Sequence, residues 1–114
     1  MALTDLKDLY PTFQRLARAK DIDGLLDLYE PSASIVASPG RTVAGTDAIR
    51  ATLAALLGAG EDPTLTERYI YDTGDGLALA SCAWSVGPLA GTTAEILRRQ
   101  SDGTWKYVLD NPFA

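Results

Sequence analysis

The 114-residue sequence contains no histidine, and this absence excludes several kinds of chemistry. Without an imidazole group there is no Ser–His or Cys–His nucleophile and no usual zinc site. No other side chain changes its charge near neutrality at its ordinary pKa. Any proton transfer must therefore use carboxyl groups or tyrosine hydroxyl groups, and we expect neither a metal ion nor a cofactor.

Cysteine and basic residues are also scarce. The single cysteine, Cys82, cannot form an internal disulfide and lies in an apolar run, which is typical of a small core residue rather than a nucleophile. Ten Lys and Arg residues against fifteen Asp and Glu residues give a net charge of −5, which is unfavourable for binding nucleic acid or an anionic membrane. No segment approaches the ~20 apolar residues of a membrane span, and the first residues lack a signal-peptide pattern. We expect a cytoplasmic protein.

Apolar residues at helical spacing in the first half and alternating residues in the second half predict the order of elements. Pro11 predicts a kink or a restart of the first helix near Tyr10, and Pro31 predicts the end of the second. Thr46 is the expected N-cap of the third. The predicted helices are 4–20, 22–30 and 47–57, and the predicted strands are 32–39, 41–44, 63–72, 77–86, 94–100 and 105–112.

Helices that are followed by an antiparallel meander define an α+β fold. A chain of this length with 46% hydrophobic residues can bury one core, so we expect a single domain, residues 1–114. A strongly curved sheet of this kind wraps helices on its inner face and leaves a conical pocket between them.

The last third of the chain predicts a β-hairpin that carries two carboxylates. Segments 94–100 and 105–112 flank a Ser-Asp-Gly-Thr turn at 101–104, and Asp-Gly tolerates the positive φ angles of a tight reversal. Glu95 lies early on the first strand and Asp110 late on the second, so antiparallel pairing brings them to about the same level of the sheet. This pair is the candidate catalytic site.

The alternation pattern conflicts with an inward position of Asp110. Simple alternation places Trp105, Tyr107 and Leu109 on one face, which has the character of a core face, and turns Asp110 outward. The residues alone therefore leave the direction of Asp110 open.

Four segments, in their order and spacing, resemble the nuclear transport factor 2-like (NTF2-like) superfamily: Asp21–Tyr29, Gly45–Arg50, Glu95–Arg99 and Asp102–Lys106. Within it, the sequence is most similar to small bacterial SnoaL-like proteins, which are related to polyketide cyclases and ketosteroid isomerases. The resemblance covers nearly the whole chain. It implies a cystatin-like cone, in which a curved antiparallel sheet is wrapped around three N-terminal helices, and it implies a homodimer.

The resemblance to ketosteroid isomerases covers only part of their catalytic machinery. Their aspartate base matches a position at or beside Ala37, so that base is missing. Their tyrosine donor matches Phe13, with Tyr10 one turn earlier as the alternative, and Glu95 matches their protonated carboxyl donor. The histidine-assisted acid of SnoaL-like cyclases is absent as well. A steroid isomerase proper is therefore not expected.

The same resemblance places Val108 and Asp110 on inward positions, against simple alternation, because the outer face of the sheet in such dimers is covered by the partner subunit. Plain core packing is the alternative for the aromatic residues. The expected pocket-lining residues are Tyr10, Phe13, Tyr29, Tyr69, Tyr71, Trp84 and Val108.

The sequence thus predicts a pocket for a small, largely apolar metabolite, in which Glu95 and Asp110 catalyse an isomerisation, cyclisation or dehydration. If both carboxyl groups face one cavity, like-charge repulsion and desolvation raise the pKa of one of them, which allows acid or base chemistry near neutral pH. The alternative function is a non-catalytic ligand-binding or dimerisation module, in which both carboxylates are structural and bonded to Tyr or Trp. For Glu95, a solvated strand position paired with Arg98 or Arg99 is the alternative.

Overall fold

The computed structural model describes residues 2–58 and 60–114. Its three helices lie in the first half of the chain, and two strands separate the second helix from the third. The helices are α1 (Leu9–Arg18), α2 (Ile22–Leu26) and α3 (Thr46–Leu57), and the strands are β1 (Tyr29–Ser38), β2 (Arg41–Ala44), β3 (Thr64–Asp72), β4 (Leu77–Val86), β5 (Leu89–Thr92), β6 (Ala94–Arg99) and β7 (Trp105–Asn111).

The strands form one curved, unclosed sheet in the order β2-β1-β7-β6-β4-β3, with β5 paired to β4. The β1–β7 pair is parallel and every other pair is antiparallel. Helix α1 packs against β3 and α3 packs against β1, so the helices fill the concave face. The α+β class and the cone-shaped arrangement are therefore as the sequence indicated.

The first helix restarts where proline predicted a disturbance. A 3-10 turn at Leu6–Asp8 precedes α1, which begins at Leu9. Pro11 is the third residue of α1, where a backbone N–H has no acceptor within the helix. Because proline sacrifices no hydrogen bond there, α1 continues through it to Arg18.

The second helix is shorter than the sequence predicted. It ends at Leu26, and β1 already begins at Tyr29 and runs through Pro31. The pairing of β1 with β7 is irregular between Tyr29 and Ser34, and the pairing with β2 starts only at Ser34, so Pro31 lies where no ladder hydrogen bond is required. Pro31, which was predicted to end the second helix, therefore lies within a strand instead.

Two further boundaries differ from the predictions. Gly45, with a φ angle of 92°, is the N-cap of α3 in place of Thr46, because only glycine adopts that angle without strain. Between the predicted strands 77–86 and 94–100 the chain forms a further short strand, β5, which pairs with the end of β4 after a turn at Gly87. Strand β5 extends one wall of the concave face.

Candidate functional site

The predicted hairpin forms, and Glu95 of β6 pairs directly with Asp110 of β7. Both side chains are buried, with 3% of Glu95 and 6% of Asp110 exposed. A β-bulge explains how Asp110 turns inward: Ile96 pairs with Leu109 and Leu97 with Tyr107, so Val108 is an extra residue without a partner. The bulge reverses the alternation, and Tyr107 and Asp110 both point into the concave face.

The two carboxyl groups lie in a cavity of about 120 Å³ between the helices and the sheet. Its polar groups come from Tyr10, Thr93, Glu95, Tyr107 and Asp110, and most of the remaining wall is aliphatic or aromatic. The lining residues are Tyr10, Phe13, Leu53, Leu56, Leu57, Pro63, Leu65, Cys82, Trp84, Val86, Leu89, Thr93, Glu95, Tyr107, Asp110 and Pro112.

Glu95 is held by the hydroxyl groups of two residues. The Tyr10 hydroxyl of α1 donates to Oε2 at 3.1 Å, and the Thr93 hydroxyl lies 2.7 and 2.8 Å from the two carboxyl oxygens. Thr93 is itself fixed to β4, because its hydroxyl accepts from the Cys82 N–H at 3.0 Å and its carbonyl accepts from the Ser81 hydroxyl at 2.6 Å. The carboxyl group of Glu95 is therefore fixed in orientation.

Asp110 has a separate tyrosine donor. The Tyr29 hydroxyl donates to Oδ2 at 2.5 Å, and Tyr29 is itself buried with its ring 4.8 Å from that of Tyr107. Tyr29 is not among the residues that line the cavity. It lies behind Asp110 and orients that carboxyl group from the core side.

The environments of the two carboxyl groups separate their pKa values. Burial raises the pKa of Asp110 to about 6, although the hydrogen bond from Tyr29 acts in the opposite direction. Burial and then the charge of Asp110 raise the pKa of Glu95 to about 8, against the lowering effect of the Thr93 and Tyr10 hydrogen bonds. Near neutral pH the pair therefore holds about one proton, and Glu95, whose pKa is raised further, is its favoured site.

Tyr107 is a residue of the site that was not among the expected pocket-lining residues. It lines the cavity and is only 1% exposed, yet within residues 2–58 and 60–114 its hydroxyl group has no hydrogen-bond partner. In the described part of the chain every fully buried side-chain oxygen has a partner, so this hydroxyl group must be accessible from the cavity. Alternation correctly turned Tyr107 inward, and this was the signal that could have identified it.

Three of the expected lining residues line the cavity: Tyr10, Phe13 and Trp84. The Trp84 indole N–H donates to the Pro112 carbonyl oxygen at 2.9 Å, and the indole lies against Gly91, where a Cβ atom would come within 3.0 Å of the ring. Trp84 is thus held flat as one wall of the cavity and does not fill it.

The remaining expected lining residues lie elsewhere, so their assignment to the pocket is corrected. Tyr69 and Tyr71 stack at 5.0 Å, and Tyr71 is 64% exposed on the outer face of the sheet. Val108 is the unpaired bulge residue and does not line the cavity. Tyr29 contacts Asp110 from behind.

Two smaller expectations can also be compared with the structure. Arg98 pairs with Glu30 at 2.9 Å, so the alternative pairing of a solvated Glu95 is wrong. Burial raises the pKa of Cys82 to about 12, which keeps it a thiol and agrees with a core residue. Among the described residues no group of three or more potential ligands could hold a metal ion, and no helix is long and apolar enough to cross a membrane.

Comparison with known proteins identifies the fold. No family model and no curated protein matches the sequence. An NTF2-like protein of unknown function from Shewanella oneidensis MR-1 is 16% identical with a TM-score of 0.78, covering 93% of this chain and 93% of that one. A ketosteroid isomerase-like protein from Erwinia carotovora atroseptica SCRI1043 is 14% identical with a TM-score of 0.72, covering 93% and 90%.

A third similar structure comes from Streptomyces avermitilis and is named as a proposed dehydratase of the NTF2-like family. It is 18% identical with a TM-score of 0.71, and the match covers 89% of this chain and 86% of that one. The protein therefore has the NTF2-like fold, as the resemblance implied. At such low identities the similarity concerns the fold, which hosts unrelated activities.

Proposed function

We propose that the cavity binds a small, largely apolar carbonyl or hydroxy-carbonyl compound and that Glu95 and Asp110 catalyse proton transfer on it, as an isomerase or dehydratase. The observation that carries this proposal is the directly paired, buried acid and base in an otherwise mostly apolar cavity. A pair of titratable groups whose environments separate their pKa values is the arrangement from which acid and base roles are assigned.

The protonation states assign the roles. Asp110, ionised near neutral pH, takes the proton from the carbon next to the substrate carbonyl group. Glu95, still protonated, donates to the oxygen atom on which negative charge develops. In a dehydration this oxygen is the departing hydroxyl group, which leaves as water, whereas in an isomerisation the proton is returned to a different carbon.

The names of two structural neighbours are compatible with this chemistry. One is named as ketosteroid isomerase-like and the other as a proposed dehydratase. Both reactions begin with removal of a proton next to a carbonyl group, so one carboxyl pair serves either. The position near Ala37 supplies no base, and in this proposal Asp110 takes that role from β7, the parallel neighbour of β1.

A non-catalytic binding module is the second candidate, and one observation favours it. Each carboxyl group accepts a hydrogen bond from a tyrosine, Tyr10 for Glu95 and Tyr29 for Asp110, as expected for structural carboxylates. Against it, both carboxyl groups line open cavity volume and both have raised pKa values. A structural carboxylate gains nothing from either property.

The test measures binding and turnover with the same set of variants. Purified protein is screened by thermal shift against monocyclic enones, ketones and β-hydroxy ketones, and each hit is followed for formation or movement of a carbon–carbon double bond. Glu95→Gln and Asp110→Asn remove the acid and the base, and Glu30→Gln changes a carboxylate outside the cavity. We expect turnover in the wild type and Glu30→Gln only. Binding without turnover in all four proteins would favour the binding module.

We also propose that the protein is a homodimer that buries the outer face of its sheet. An apolar row crosses four strands in register, from Tyr71 of β3 through Leu79 and Ile96 to Leu109 of β7. Of these, Tyr71, Leu79 and Ile96 are 64%, 42% and 38% exposed. Such a flat row is complementary to itself under two-fold symmetry, so a second copy is a suitable partner. Sedimentation at micromolar concentration should give twice the 12.1 kDa chain mass, and a monomer would contradict the proposal.

A further inference from the structure

We propose that the same cavity is a binding site for small apolar ammonium ions, with the charged nitrogen between Glu95 and Asp110 and the hydrocarbon part against the apolar wall. This inference does not depend on turnover. It rests on an uncompensated buried charge, an unpartnered hydroxyl group, the aromatic wall and the cavity volume.

The negative charge of the site has no cationic partner in the described part of the chain. None of the residues that line the cavity is basic. The nearby basic side chains are engaged elsewhere, since Arg98 pairs with Glu30, Arg18 donates to the Pro63 carbonyl group and Arg68 donates to Ser81. A buried carboxylate without a counter-ion is costly, so a cationic ligand would remove a penalty that the protein itself leaves in place.

The titratable groups that face the pair come from each surrounding element. They are Tyr10 of α1, Cys82 of β4, Tyr29 of β1 and Tyr107 of β7. Burial raises the pKa of each of these groups above its ordinary value, so all four are neutral at physiological pH. The charge that a ligand meets is therefore that of the two carboxyl groups alone.

Two features of the wall suit an ammonium group. Tyr107 lines the cavity and its hydroxyl group has no partner among the described residues, so its oxygen can accept a hydrogen bond from an N–H group. The rings of Tyr10, Phe13, Tyr107 and Trp84 line the same space, and aromatic faces attract cations. An anionic ligand of the same size would meet the repulsion of Asp110 instead.

The cavity volume limits the hydrocarbon part. The volume of about 120 Å³ is close to that of an engineered cavity of about 150 Å³ that holds one benzene molecule. Cyclohexylamine and benzylamine are therefore suitable probes. Bicyclic amines are expected to protrude past Leu89, which is 61% exposed at the edge of the cavity.

The experiment compares three probes of one shape by isothermal titration calorimetry: benzylamine as its ammonium ion, benzyl alcohol and benzoate. At about pH 8 we expect the ammonium ion to bind at least about tenfold more tightly than the alcohol, in line with coupling energies of desolvated charge pairs, and benzoate not to bind. Because a cation beside Glu95 lowers the pKa of this carboxyl group, titrations at about pH 7 in buffers of different ionisation enthalpy should show release of part of one proton.

The variants make the result specific to the pair. Asp110→Asn and Glu95→Gln should each weaken ammonium binding about tenfold or more, whereas Glu30→Gln should bind as the wild type does. Proton release by the wild type does not depend on any variant folding. Equal affinity for the alcohol and the ammonium ion, binding without proton release, or no ammonium binding at all would each overturn the inference. If neutral ketones bind and amines do not, the inference is overturned but the proposed proton-transfer function remains.

Discussion

The substitution Glu95→Gln tests the protonation of the site without any ligand. A glutamine keeps the shape of the protonated carboxyl group but cannot ionise. The pKa of Glu95 rises from 4.5 to about 8 on folding, so between these values the folded state holds a proton that the unfolded state has lost. The folded state binds more protons, and the free energy of unfolding must therefore decrease as the pH rises through this interval.

The expected size follows from the width of the interval. Each pH unit between the two pKa values lowers the free energy of unfolding by about 1.4 kcal/mol, which amounts to a loss on the order of 4 kcal/mol at about pH 8. For a chain of this length, 1 kcal/mol corresponds to about 4 °C in Tm. Asp110, whose pKa rises from 3.8 to about 6, adds a similar decrease at lower pH.

The assay is a series of thermal melts from about pH 5 to about pH 8.5. Carboxylates with lowered pKa values, such as Glu30, titrate below this pH range, and Cys82 and the tyrosines titrate above it, so neither group affects the comparison. The wild type should lose Tm throughout. Glu95→Gln should lose Tm less steeply than the wild type up to about pH 6, where only Asp110 titrates, and then stay level, so that it melts on the order of 10 °C higher at about pH 8.5. The control Glu30→Gln should run parallel to the wild type. A wild-type Tm that is constant or rises over the window would refute the assignment of a shared proton.

Two other changes probe the supports of the site. Tyr29→Phe removes the donor to Asp110 Oδ2. The substitution should raise the pKa of Asp110, measured by NMR titration, and destabilise the fold by about 1–3 kcal/mol, measured by urea unfolding. An unchanged pKa of Asp110 would contradict this prediction. Gly91→Ala places a methyl group within 3.0 Å of the Trp84 ring. This contact should shift the indole into the cavity, lower the affinity of benzene-sized probes and change Trp fluorescence. Unchanged affinity would mean that the added methyl group is accommodated without moving the indole.

Much of the fold could be predicted because local patterns were strong. The spacing of apolar residues determined α1 and α3, and the Asp-Gly turn placed Glu95 opposite Asp110. The end of α2 was misplaced because Pro31 was taken as a helix stop, whereas the irregular pairing of β1 tolerates proline in a strand. That irregularity depends on β7, which is far away in the sequence, so no local rule could reveal it.

The candidate site depended on features that sequence periodicity does not carry. The bulge at Val108 decides the direction of Asp110, and a bulge of this kind needs no glycine or proline that would mark it. Thr93, which donates to Glu95, lies between two short strands with no motif around it. Tyr69 and Tyr71 were assigned to the pocket by their aromatic character, which equally suits the outer face where the structure places them.

The bulge also links the fold to the chemistry. If Val108 were paired regularly and β7 had no bulge, strict alternation would turn Leu109 inward and Asp110 outward, and the concave face would be a better hydrophobic core. The observed register instead buries a second carboxyl group beside Glu95, at a stability cost that increases with pH. A strand irregularity that makes the core worse and the cavity more acidic is hard to explain by folding alone. It is the arrangement expected if the pair acts on a ligand, either by moving a proton or by binding a cation.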